Sequence, residues 1–184
     1  MFKSMSYDLN EVAKLFKQKR VLELRGLSNR LVREATMEEN YAKAELGVIA
    51  YALHKLETKE HISKSQKWHE VKQVISSDIS RAEYAASQNN SKMLIQKLKS
   101  AINHIRDIDS ELGNYAQNVY EKAKVKQASL AYSYGLSLAQ SADLTGADKK
   151  DLQSYIGFTK MSDEESEQKS IYTRVKELGE WLNA

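Results

Sequence analysis

The chain has no cysteine and no proline. Without cysteine, a disulfide framework, a thiolate zinc site and a cysteine nucleophile are all excluded. Without proline, no residue lacks a backbone donor, which suits long uninterrupted helices. Long apolar runs are missing too: none approaches the roughly 18 residues that a membrane span needs. The opening stretch MFKSMSYDLNEV has no signal-peptide apolar core, so a cytoplasmic location and no membrane partner are expected. Neither a glycine-rich phosphate loop nor a nucleophile motif occurs. A protein without catalytic activity or cofactor is therefore expected.

What is present is a globular composition: 41% hydrophobic and 29% charged residues in a chain of 184. That length allows one or two domains and a substantial core. The net charge of +3 is unevenly spread. Residues 135–184 hold nine acids and six bases, whereas residues 1–134 hold 16 acids and 22 bases. The acidic end weighs against simple phosphate neutralisation by that end.

The apolar spacing predicts an all-α fold. A first helix starts near Asp8, with Glu11 as a capping-box partner, and Leu9, Val12, Phe16, Leu24, Leu27 and Leu31 form its apolar stripe. Lys14, Lys17, Lys19, Arg20, Arg25, Arg30 and Arg33 make it basic, interspersed with Glu23 and Glu34, as a solvated face would be. Thr36 with Glu39 reads as a capping box for a second helix, apolar nearly all round over AELGVIAYAL. Gly47 inside it costs about 1 kcal/mol against alanine, which a close helix crossing would explain. KLETKEHISKS forms a polar connection, and Ser63 caps a helix anchored by Trp68. Gln88 to Asn90 read as a turn.

From Ser91 the pattern predicts a long coiled-coil-like helix. Leu98, Ile105, Leu112 and Val119 recur every seven residues, with Leu94, Ala101, Ile108 and Tyr115 as the other seam. The seam packs either within the bundle or against a second chain, so Leu98, Ile105 and Leu112 are candidate partner-binding residues. Gly113 interrupts the pattern, which fails after Tyr120, where Lys122 and Lys126 take the seam positions. EKAKVKQ is either a solvated bridge or a boundary between a helical bundle over residues 1–125 and a second unit over residues 126–184.

The second unit centres on GLSLAQSADLTGADKKDLQSYIG, residues 135–157. Ser137 and Gln140 form a capping box for a short helix. Gly146 ends that helix, because a left-handed residue is needed there. Asp148 caps a second helix carrying Leu152, Tyr155 and Ile156, which Gly157 closes. A small Ala142 four residues before the turn glycine, with apolar residues six and nine after it, is helix-turn-helix spacing. Early residues of the second helix then face DNA. Lys149 and Lys150 would serve phosphate or guanine, Gln153 could pair with adenine, and Ser154 lies beside them. Asp148 is accounted for as a cap, whereas Asp151 would repel the backbone. Lys122, Lys124 and Lys126 are candidate contributors to a basic surface nearby. Ser162 with Glu165 opens a last helix whose apolar face, Ile171, Val175, Leu178, Trp181 and Leu182, either docks on the motif or offers Trp181 to a partner.

The stretch ASLAYSYGLSLAQSADLTGADKKDLQSYIG resembles the helix-turn-helix of small, antitoxin-like prokaryotic proteins. The matching positions are Tyr132, Gly135, Ser137, Leu138, Ser141, Ala142, Gly146 and Leu152. Ser141 and Ala147 depart from the usual alanine and larger apolar residue. The resemblance implies prokaryotic DNA binding or regulation. Residues 1–125 carry no recognised motif, and their style suggests an archaeal helical protein.

Other chemistry is sparse. His54, Glu57 and His61 share a face of a continuous helix, but no further ligand is indicated, so no metal is expected. No arginine is followed, after four to six intervening residues, by a histidine, the site pattern of one helical ribonuclease family. Two functional expectations remain. One is a non-catalytic DNA-binding regulator with double-stranded DNA as partner. The other is a helical adaptor that binds a protein partner or forms a homodimer.

Overall fold

A computed structural model describes residues 2–111 and 118–166. Among them the chain is entirely helical: α1 (Phe2–Lys17), α2 (Val21–Glu38), α3 (Tyr41–Thr58), α4 (Glu60–Ser63), α5 (Gln66–Ser87), α6 (Ser91–Glu111), α7 (Val119–Ser133), α8 (Leu138–Thr145) and α9 (Lys149–Ser166). No described helix is long and apolar enough to cross a membrane. The principal pairings are α2 on α3, α5 on α6 and α1 on α5, with α7 lying across α3. One continuous core joins Leu9 and Phe16 of α1, Leu31 of α2, Leu53 of α3, Trp68 and Ile79 of α5, Ile105 of α6 and Tyr120 of α7.

The expected first helix is two helices. The apolar stripe from Leu9 to Leu31 is buried as read, but the chain turns at Gln18–Arg20, where Lys19 takes φ 55°. The Arg20 N–H then donates to the Leu15 carbonyl and the Leu24 N–H to Arg20. The turn lets α1 pack on α5 while α2 packs on α3.

The Thr36–Glu39 capping box does not form. Thr36 stays inside α2, its hydroxyl donating to the Val32 carbonyl at 2.9 Å, and Glu39 ends the helix at φ 51°. Asn40 is the cap of α3, accepting from the Lys43 N–H at 3.1 Å. Likewise Ser65, not Ser63, caps α5 by accepting from the Trp68 N–H at 3.1 Å. Trp68 is buried, edge-on to Phe16 with ring centroids 6.1 Å apart, and its Nε1–H donates to Glu57 at 3.1 Å.

Gly47 marks the close crossing that its cost demanded. A Cβ there would stand 2.7 Å from the Val32 Cγ2. The Ser28 hydroxyl donates to the Gly47 carbonyl at 2.9 Å, so α2 and α3 meet almost backbone to backbone.

The seam of α6 faces inward. Leu94, Leu98, Ala101, Ile105 and Ile108 are all buried in the core, and α5 is the main partner of α6. The seam does not continue through Val119 as one helix, because Asn118 takes φ 64° and α7 starts after it. Leu112, Gly113 and Tyr115 lie outside the described residues.

Candidate functional site

The last three helices are built from local signals. Gly135, at φ 103°, turns the chain out of α7. Ser137 then accepts from the Gln140 N–H at 3.2 Å, and the Gln140 side chain accepts from the Ser137 N–H at 3.0 Å. This reciprocal box gives an eight-residue helix a defined start. Gly146 ends it at φ 67°, a conformation that costs a side chain-bearing residue about 1–2 kcal/mol. Asp148 Oδ1 accepts from the Lys150 N–H at 2.8 Å and from the Asp151 N–H at 3.0 Å, so its charge sits at the start of α9, where the helix dipole favours it.

Leu152 is the plug: it is fully buried with Ala128 of α7 and Ala142 of α8, ringed by Leu138, Ala147 and Ile156. Leu144 reaches the other way, into a cluster with Val32, Ala35, Ala44 and Ala131. The Tyr41 hydroxyl donates to Asp143 Oδ2 at 2.9 Å, tying α8 to the start of α3. The α8–α9 corner is therefore clamped onto α7, α2 and α3.

α9 does not close at Gly157. It continues to Ser166, because a glycine with open space around it does not by itself end a helix. Ser162 is thus inside α9 and opens no new helix; Ile171 to Leu182, Trp181 included, lie outside the described residues.

Lys149, Lys150, Gln153 and Ser154 are all exposed on the first two turns of α9. Successive residues are about 100° apart around a helix, so these four span about 140° of exposed surface, with the Leu152 plug to one side of it. Asp151 falls on the flank away from Gln153. Leu98 and Ile105 are a correction. They are 1% and 0% exposed, so this chain already covers the face on which a partner was expected. Leu112 and Trp181 cannot be placed with them.

The flank carrying Asp151 opens onto a cleft of about 920 Å³ that the sequence reading missed. Three helices supply it at helical spacings: Tyr51 and Lys55 of α3 with Lys59 after it, Lys122 and Lys126 of α7, and Asp151, Ser154 and Tyr155 of α9. Residues three and four apart share a helix face, which brings each set to the same wall. The Lys55 ammonium lies 5.6 Å from the Tyr51 ring centre, and that of Lys126 lies 5.4 Å from Tyr155. The i,i+4 lysines Lys122 and Lys126 were the one available signal, but nothing local pointed to their meeting α3 and α9.

Glu121, also on the cleft wall, is neutralised: Arg106 donates to it at 2.8 Å and Lys124 at 2.9 Å. Burial works to raise its pKa, but these two cations win and hold its carboxyl below the ordinary value. Lys124 therefore faces Glu121 and the Gly146 turn, 3.8 Å from where a Gly146 Cβ would stand. Of the three lysines expected to extend a basic surface, Lys122 and Lys126 remain for the cleft.

The remaining polar candidates have other partners. The His54 Nδ1–H donates to the Val21 carbonyl at 2.9 Å, and Glu57 accepts from Trp68 and Lys72. His61 sits in the separate helix α4, and the described residues contain no group of three or more histidines and acids able to hold a metal. On the basic N-terminal face, Arg30 is drawn to Asp8, Glu11 and Glu34, and Arg20 pairs with Glu23.

No protein-family model matches the chain, and searches of curated proteins and of solved structures likewise give no match.

Proposed function

We propose that the chain is a non-catalytic DNA-binding regulator in which α8 and α9 act as a helix-turn-helix. The observation that carries this reading is the exposure of Lys149, Lys150, Gln153 and Ser154 on one face of α9, over a plug, Leu152, that is fully buried. In such a motif the first turns of the second helix enter the major groove. Lys149 and Lys150 then meet phosphate or guanine, and Gln153 meets adenine. Asp148 is consumed as the cap, and Asp151 lies on the cleft flank, so neither carboxylate stands among the proposed contacts. The resemblance to antitoxin-like helix-turn-helix proteins points the same way and makes a prokaryotic cytoplasm the expected setting.

A second reading, a protein–protein adaptor in which this corner is structural, is favoured by Phe158. It is 77% exposed, one turn beyond Ser154 on α9, and a large apolar side chain there suits a protein surface better than a phosphate backbone.

Fluorescence anisotropy with labelled duplex DNA, at about 50 and 200 mM salt, separates the two. Contact with about six phosphates weakens binding by roughly a thousandfold across that range. Salt-sensitive binding that Lys149→Ala/Lys150→Ala abolishes supports recognition through α9. No binding at the lower salt rejects it in favour of the adaptor. Binding that survives in the variant moves the contact elsewhere.

A further inference from the structure

We propose that the cleft between α3, α7 and α9 is a binding site for a nucleoside polyphosphate. The inference goes beyond the DNA reading and does not rest on it: of the four residues proposed to face DNA, Ser154 alone lines the cleft.

The cleft's volume, about 920 Å³, is within the ~300–1,000 Å³ of small-molecule sites. Its charge is unbalanced. Lys55, Lys122 and Lys126 line it and have no carboxylate partner among the described residues. Lys122 and Lys126 are four apart on one helix, an arrangement in which like charges repel. With Asp151 as the remaining carboxylate on its walls, the cleft keeps a cationic excess, which concentrates anions. Glu121 does not offset this, because Arg106 and Lys124 hold it. Lysine ammoniums on flexible stems suit phosphate as point charges.

The site is more than basic. Tyr155 of α9 brings a half-buried aromatic ring to one wall, whereas Tyr51 of α3 is packed into the core. Aromatic faces stack on bases without regard to sequence. Asp151 and Ser154 also line the cleft, and a carboxylate and a hydroxyl are acceptors for ribose hydroxyls. Cations, a ring and acceptors for hydroxyl groups on one concave surface match the three parts of a nucleotide: phosphates, base and sugar. A simple inorganic anion would leave Tyr155 and Asp151 unused.

Isothermal titration calorimetry of the full chain with ATP, tripolyphosphate and adenosine tests this. ATP should bind more tightly than either part alone. Lys122→Ala/Lys126→Ala should weaken it by about tenfold or more, since each charge-assisted contact is among the stronger hydrogen bonds. Lys122→Arg/Lys126→Arg should restore most of the affinity, which separates loss of charge from loss of fold. Tyr155→Leu should weaken ATP and leave tripolyphosphate unchanged. No heat with ATP at millimolar concentration overturns the proposal, as does ATP binding that the alanine pair leaves intact. Tripolyphosphate binding as tightly as ATP overturns the nucleotide assignment.

Discussion

Ser28 and Gly47 lock α2 to α3: the serine hydroxyl donates to the glycine carbonyl at 2.9 Å, and only a hydrogen at the Gly47 Cα leaves the backbones room to meet. Gly47→Ala would gain about 1 kcal/mol of helix propensity. It would also place a methyl 2.7 Å from the Val32 Cγ2 and 3.2 Å from the Ser28 carbonyl oxygen. Val32 is β-branched and cannot swing aside freely, so the helices must part. The expected net outcome is destabilisation by about 1–3 kcal/mol. Urea denaturation checks it, and adding Val32→Ala should cost less in the Gly47→Ala background than in the natural chain.

Lys43 and Asp8 should respond unequally to neutralisation. The Lys43 ammonium is buried and donates to Glu34 at 3.0 Å and to Glu38 at 3.1 Å. Removing it with Lys43→Met leaves Asp8 and Glu34 with Arg30 as their cation and Glu38 without its buried donor, at an expected cost of about 2 kcal/mol. For Asp8, burial outweighs the pull of Arg30 and Lys43 and raises the pKa above its ordinary value. One of its oxygens, Oδ2, has no hydrogen bond. Asp8→Asn should therefore change stability by less than about 1 kcal/mol at neutral pH. Chemical denaturation of both variants would show the contrast; equal losses would refute it.

His54 should make the fold acid-sensitive. Burial pushes its pKa below the ordinary 6.5; the hydrogen bond to Val21 opposes this, and Lys55 and Arg25 reinforce it. As pH falls through 6.5 the unfolded chain takes up the proton first. The contribution to stability is complete above that value and is lost on acidification toward the folded pKa. Asp8 and Glu45, both raised by burial, act in the opposite sense, so the comparison must be with a variant. Between about pH 7.5 and 5.5, Tm should fall further in the natural chain than in His54→Gln, whose amide retains a donor for Val21. Parallel profiles would assign the acid sensitivity to another group.

Signals that act within three or four residues were legible in the sequence. Ser137, Gln140, Gly146 and Asp148 announce the α8–α9 corner because their hydrogen bonds close locally. Gly47 announced its crossing because a buried glycine in a helix needs a neighbour that excludes a side chain. The break at Lys19 was hidden, since neither glycine nor proline marks it and the apolar stripe keeps its period on both sides. Thr36 and Asn40 offer overlapping capping patterns, and the one that forms, at Asn40, is equally local. Gly157 marks no end of α9, because glycine permits a helix end without requiring one. The cleft was invisible for a different reason: its walls come from residues 51–59, 118–126 and 151–155, and only tertiary packing brings them together.

α7 runs unbroken across residue 125, where the sequence suggested a division, and packs on α2 and α3 as well as on α8 and α9. Its Tyr120 and Ala123 belong to the large core, while its Ala128 and Ala131 belong to the two small clusters under the corner. One helix is thus a party wall shared by two rooms. The corner is therefore no detachable piece for grafting or for recombination between genes: a cut at residue 125 splits the wall, and a cut before Val119 leaves Leu144 without Val32, Ala35 and Ala44.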